Sequence, residues 1–173
     1  MQHTSLSALI ALCLAAPSVA QSFEVDLTQA NSWQTVLDGV MGGRSSGKVR
    51  TTEQGTLSFS GKLSLENNGG FSQMRTRVQG QQLADAKGLV LEVLGDGRTY
   101  NFDLRVSNAR MMAGGFQQSF ATVAGQWTEV KLPFDKFRLF SFGRLVKRAP
   151  ELNPSLIESI GVTLSDKQPG TFE

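Results

Sequence analysis

The sequence has 173 residues, a formal net charge of +2 and 18% charged side chains, which is one domain's worth of chain with no strong bias toward nucleic acid or an anionic membrane. It carries one cysteine and one histidine, Cys13 and His3, both near the N-terminus. If both are removed, no Ser-His-Asp or Cys-His site, disulfide, or zinc site with nitrogen or sulfur ligands can form.

Their removal is expected. An apolar stretch from Leu6 to Ala16 is followed by Pro17 and the small-residue triplet Ser18-Val19-Ala20. That is the layout of a cleavable signal peptide over residues 1–20, leaving an exported mature domain over residues 21–173 that starts at Gln21. The stretch is too short for a permanent membrane anchor, and no second one follows. The leucine at position 12, next to Cys13, is too bulky for a lipoprotein signal. The expected location is the periplasm or outside the cell.

Beyond the leader, short apolar or alternating runs separated by Gly, Asn, Asp and Pro recur roughly every eight to fifteen residues, the pattern of an all-β sandwich or barrel. The expected strands are Phe23–Leu27, Trp33–Leu37, Lys48–Thr52, Thr56–Leu65, Phe71–Val78, Gly88–Leu94, Thr99–Val106, Phe116–Thr122, Trp127–Leu132 and Leu156–Leu164. In Thr99–Val106, Tyr100, Phe102, Leu104 and Val106 point to a core while Asn101, Asp103 and Arg105 point the other way. Gly88–Leu94 is apolar at nearly every position, which predicts a central strand covered on both faces. Gly95-Asp96-Gly97 after it predicts a hairpin pairing it with Thr99–Val106. Trp33, Tyr100 and Trp127 all fall in phase with core positions, and Pro133 to Phe137 reads as a short helical turn that tucks in two phenylalanines. Residues 138–154 read as an irregular basic loop.

Asp38, Gly39, Met41, Gly42, Gly43, Arg44 and Ser45 lie in the densest special-geometry segment, with Val40 among them and Gly47 after it. Gly42 to Lys48 fits G-x-x-x-x-G-K formally, but Val49 stands where a phosphate-binding loop needs a hydroxyl, and a strand follows instead of a helix. Two readings remain: a tight turn with Asp38 and Ser45 capping backbone amides, or a loop lining a binding surface. Glu66, Asn67 and Asn68, followed by two glycines, make a turn whose oxygens would also suit calcium; Asp96 and Asp166 have a similar claim. No other cofactor is expected. Arg75, Asp103, Arg105 and Gln118 are expected on one polar sheet face able to hold a sugar or a peptide, the alternative being a solvated face with cross-strand ion pairs. No carboxylate spacing singles out a hydrolase pair.

The run from Trp33 to Ser45, then Gly55 to Gly61, then Leu65 to Phe71 resembles the complex I intermediate-associated protein 30 family. Phe116 to Phe120, Trp127, Leu132-Pro133-Phe134, Ile160-Gly161-Val162 and Asp166 to Gly170 resemble its later blocks. The resemblance implies an all-β, galactose-binding-domain-like β-sandwich of jelly-roll type. It also implies a chaperone-like assembly role rather than catalysis, with an unknown protein partner. A carbohydrate-binding module with a glycan partner is the alternative, and a carboxylate-dependent hydrolase of extracellular polymer the more remote one. Members of the family continue past the equivalent of Phe172-Glu173, which predicts a missing last strand or an open sheet edge here.

Overall fold

The computed structural model describes residues 30–107 and 114–173. The expected signal peptide, Cys13, His3 and the expected strand Phe23–Leu27 lie outside the described residues. Among the described residues the chain forms strands and short 3-10 turns, with no α-helix, and no helix is long and apolar enough to cross a membrane.

The strands are β1 (Gln34–Leu37), β2 (Ser46–Thr51), β3 (Leu57–Leu63), β4 (Ser72–Arg77), β5 (Gly88–Leu94) and β6 (Thr99–Val106). They continue with β7 (Gly114–Ala121), β8 (Trp127–Pro133), β9 (Arg138–Ser141), β10 (Arg144–Leu145), β11 (Ile157–Leu164) and β12 (Gly170–Phe172). A seven-stranded sheet has the order β1-β4-β11-β6-β7-β9-β10, a three-stranded sheet the order β12-β3-β2, and β5 pairs with β8. All pairings are antiparallel.

Alternation sorts the large sheet into two faces. Tyr100, Phe102 and Leu104 of β6 sit opposite Leu164, Val162 and Ile160 of β11, and opposite Phe120, Gln118 and Phe116 of β7. That face packs against Leu63 and Phe59 of β3, Phe172 of β12 and Val130 and Leu132 of β8 in one hydrophobic core. Each such large apolar side chain contributes about 1.5–3 kcal/mol when fully buried. The Phe59 and Phe172 rings lie 5.0 Å apart, locking β12 onto β3. Phe134 and Phe137 are both buried at the short turn Phe134–Lys136, as expected, and Phe137 meets the edge of Phe102.

Several expectations are corrected. Gly88–Leu94 is not a central strand: it pairs with β8, and Val90 and Leu94 are exposed on its outer face. Gly95-Asp96-Gly97 is accordingly no hairpin but a crossing between sheets, since β6 pairs with β11 and β7. Trp127 is opposite Leu94 and 59% exposed rather than in the core, whereas Trp33 and Tyr100 are buried. The irregular basic loop contains β9 and β10, which extend the large sheet by pairing with β7 and each other. Gly170–Phe172 forms a strand in register with Gly61–Leu63 of β3.

Candidate functional site

The glycine-rich segment is organised from below. Asp38 is fully buried at the start of the 3-10 turn Asp38–Met41, and its carboxylate accepts the Ser45 N–H at 3.0 Å and the Ser45 hydroxyl at 2.6 Å. It also accepts the N–H of Gly70 at 2.7 Å and of Phe71 at 3.3 Å. Burial pushes this carboxyl up, but the donated hydrogen bonds outweigh it and hold the group below the ordinary carboxylate value. Ser45 passes the link on by accepting the Ser64 N–H at 3.0 Å. Gly42, at φ +88°, closes the turn in the left-handed region where a side chain would be strained.

The expected turn at Glu66, Asn67 and Asn68 forms, with both asparagines at positive φ. The Asn67 amide donates to the Gly42 carbonyl at 3.0 Å, and Glu66 meets Arg44 at 3.2 Å on the surface. Asp96 and Asp166 turn toward Tyr100 and Arg98. The Tyr100 hydroxyl donates to Asp96 at 2.8 Å, and Arg98 grips Asp166 at 2.7 and 3.0 Å. Among the described residues no three His, Cys, Asp or Glu side chains gather to hold a metal.

The Asp38 knot thus takes the form of the capping turn, and its outward product is a tip carrying Val40 and Met41, 84% and 66% exposed. Met41 was among the sequence candidates; Val40 was not, because a lone valine among glycines carries no signal of its own.

The second place of interest is the outer face of the large sheet. Alternation brings Arg75 of β4, Asp103 of β6 and Arg105 of β6 to one face, as expected, with Gly161 of β11 registered between Arg75 and Asp103. Gln118 does not join them. It sits opposite Phe102, between Phe116 and Phe120, on the core-facing side, with its carbonyl oxygen buried and without a hydrogen-bond partner. Its neighbour Gln117 takes the expected place, opposite Asp103. The two phenylalanines at positions 116 and 120 already fixed that phase, because residues an even number apart share a face.

Asp103 is buried beneath this surface, and it accepts from Gln117 at 2.6 Å, from Gln73 at 3.2 Å and from the Thr163 hydroxyl. Burial raises its pKa against the lowering effect of these hydrogen bonds and of Arg105. All three of these partners are neutral side chains. Asn101 and Ser119 extend the polar row, joined by a 2.6 Å hydrogen bond. Gln73, Gln117 and Thr163 escaped sequence reasoning because their chemistry appears only once three separate strands are in register.

The family profile described as Complex I intermediate-associated protein 30 matches residues 22–173. The chain belongs to that family. The mouse protein named "Complex I intermediate-associated protein 30, mitochondrial" is 37% identical over 89 residues, 49% of this chain and 26% of the mouse protein. The matched region is therefore only about a quarter of that relative's length.

Among solved structures, the chain is similar to a family 11 carbohydrate-binding module from Clostridium thermocellum in complex with a β-1,3-1,4-mixed-linked tetrasaccharide. The TM-score is 0.57 at 15% identity, covering 86% of this chain and 88% of the module. A second structure, the family 11 module of a cellulosomal cellulase of the same organism, gives 0.55 at 16% identity, covering 82% of each chain. The architecture of this family member is thus the galactose-binding-like jelly-roll β-sandwich.

Proposed function

We propose that the chain is an exported, non-catalytic binding domain that holds a hydroxyl-rich ligand, a glycan, on the outer face of its seven-stranded sheet. The observation that carries this is the Asp103 network. A buried carboxylate ringed by Gln73, Gln117 and Thr163 lies under a surface flanked by Arg75 and Arg105. It supplies fixed donors and acceptors on one face, which is what orienting several hydroxyls needs. The fold shared with modules that bind carbohydrate supports the reading, and the leader from Leu6 to Ala20 supports export. The mature N-terminus is then Gln21, which N-terminal sequencing of exported protein checks.

The test is a glycan array followed by calorimetry on the best hit. Gln117→Ala and Arg75→Ala are expected to weaken binding about tenfold while leaving the fold intact. Equal affinity in the wild type and both variants would remove the sheet face as the site.

A second reading has its own observation. The Val40-Met41 tip presents apolar side chains outward on a loop anchored by buried Asp38, the form of a protein-docking contact. The family's chaperone-like assembly role fits that tip. Affinity capture from an envelope extract, lost with Val40→Ser/Met41→Ser and kept with Gln117→Ala, would establish it over the glycan reading.

A further inference from the structure

The outer sheet face carries more positive charge than a neutral sugar requires. Arg75 and Arg77 project from β4 on this face, and Arg105 projects from β6, with Ser159 of β11 registered opposite both Arg77 and Arg105. Among the described residues none of the three arginines has an acid within ion-pair distance. The one carboxylate beneath them, Asp103, is already accepting from three neutral side chains.

Arg75 is half-buried, and burial together with the neighbouring Arg105 makes its guanidinium less basic than usual, with Asp103 opposing. Gathering like charges in this way costs stability, which the buried Asp103 offsets only in part. Ser159 adds a second, independent mark. It is 8% exposed, and its hydroxyl is buried with no hydrogen-bond partner. Buried hydroxyls are ordinarily paired, so an unspent donor between two arginines points to an absent acceptor.

We propose that the ligand of this face carries a carboxylate, as a uronic-acid glycan does, and that Arg75, Arg77 and Arg105 receive that carboxylate. This rests on the glycan-binding reading above and names its ligand class. Guanidinium groups pair with carboxylates through two parallel N–H donors, a match that a hydroxyl cannot supply. The rest of the face fits a sugar ring better than an acidic peptide. Asn101 and Gln117 offer both donors and acceptors, and Phe140 of β9 lies opposite Gly115 of β7, where the sheet carries no side chain. This bare stretch borders the arginines, since a Cβ on Gly115 would stand 3.7 Å from Arg105 Cγ.

The experiment titrates the mature chain with trigalacturonate, its methyl ester, neutral cellotriose and polyglutamate, by calorimetry and amide chemical shifts. Trigalacturonate is expected to bind, shifting amides at Arg75, Arg105, Gly115 and Gly161. Esterification, Arg75→Gln and Arg105→Gln are each expected to weaken it about tenfold or more, with the thermal midpoints of both variants unchanged or raised because each removes one of the gathered like charges. Ester or cellotriose binding as tightly as the acid overturns the carboxylate requirement while leaving the glycan face standing. Polyglutamate binding without trigalacturonate overturns it in favour of a peptide ligand. No shift at the face with any glycan overturns both this inference and the reading it rests on.

Discussion

The Asp38 carboxylate accepts the Gly70 N–H at 2.7 Å although 32 residues separate them, so one buried side chain ties the glycine-rich loop to the turn before β4. Replacing Asp38 with Ala leaves the N–H groups of Ser45, Gly70 and Phe71 without that acceptor and leaves the Ser45 hydroxyl only the Ser64 carbonyl at 3.2 Å. The expected loss is on the order of 3 kcal/mol, read as a drop in thermal midpoint. The group titrates lower in the folded chain than in the unfolded one, so the unfolded state takes up the proton first as pH falls. Its stabilising contribution is therefore complete above about pH 4 and disappears as pH drops through the lower folded value. A pH-stability curve of Asp38→Asn is expected to be flatter than wild type in that acid range. An unchanged curve would show that the carboxylate's charge does not matter.

The same knot explains two glycines by contact rather than by backbone angle. A Cβ on Gly43 would collide with the Asp38 carboxylate, and one on Gly69 would stand 2.6 Å from Asp38 Oδ2. A Cβ on Gly39, in the same loop, would meet nothing within 4 Å. Gly43→Ala and Gly69→Ala are each expected to cost about 1–3 kcal/mol, and Gly39→Ala less than about 0.5 kcal/mol. Denaturant unfolding of the three variants separates them, and a Gly39→Ala loss equal to the others would contradict the contact argument.

What could be read from the chain follows the reach of local rules. Alternation in Thr99–Val106 gave the two faces of β6 correctly, because one strand's phase is a property of its own residues. Pairing is not local. Gly88–Leu94 reads as a buried central strand because Val90 and Leu94 are apolar, yet both are exposed on its outer face, Val90 opposite Lys131 and Leu94 opposite Trp127. Gly95-Asp96-Gly97 looked like a hairpin, but Asp96 instead holds Tyr100 and Arg98 where the chain changes sheets. The outer face of the seven-stranded sheet was half legible for the same reason. Arg75, Asp103 and Arg105 could be phased strand by strand, whereas Gln73, Thr163 and Ser159 acquire meaning only through registers set between β4, β11 and β6.

Arg98 fastens the end of the sandwich. Its guanidinium binds Asp166 through two nitrogens and also donates to the carbonyls of Thr171 and Gln168, with the two side chains only 11% and 6% exposed. Asp166, despite the upward push of burial, is held below the ordinary carboxylate range by Arg98. Arg98→Met leaves Asp166 as a mostly buried, unpaired charge, a change that costs about 3–5 kcal/mol. By contrast the Arg44–Glu66 pair is 67% and 64% exposed, and Arg44→Ala is expected to leave the thermal midpoint nearly unchanged. Similar midpoints for the two variants would refute this ranking.

Gln118 supplies the opposite kind of test, a substitution expected to help. Its carbonyl oxygen is buried without a partner on the core-facing side of β7, between Phe116 and Phe120 and opposite Phe102. Leucine has nearly the same volume and nothing to desolvate, so Gln118→Leu removes a penalty while filling the same space. The expected result is neutral to about 1 kcal/mol more stable in denaturant unfolding. Ligand binding at the outer face is expected to be unaffected, since the side chain projects away from Asp103 through the sheet. A loss of stability would mean that the amide satisfies a need this packing does not reveal. Lost binding would return Gln118 to the site that alternation takes it out of.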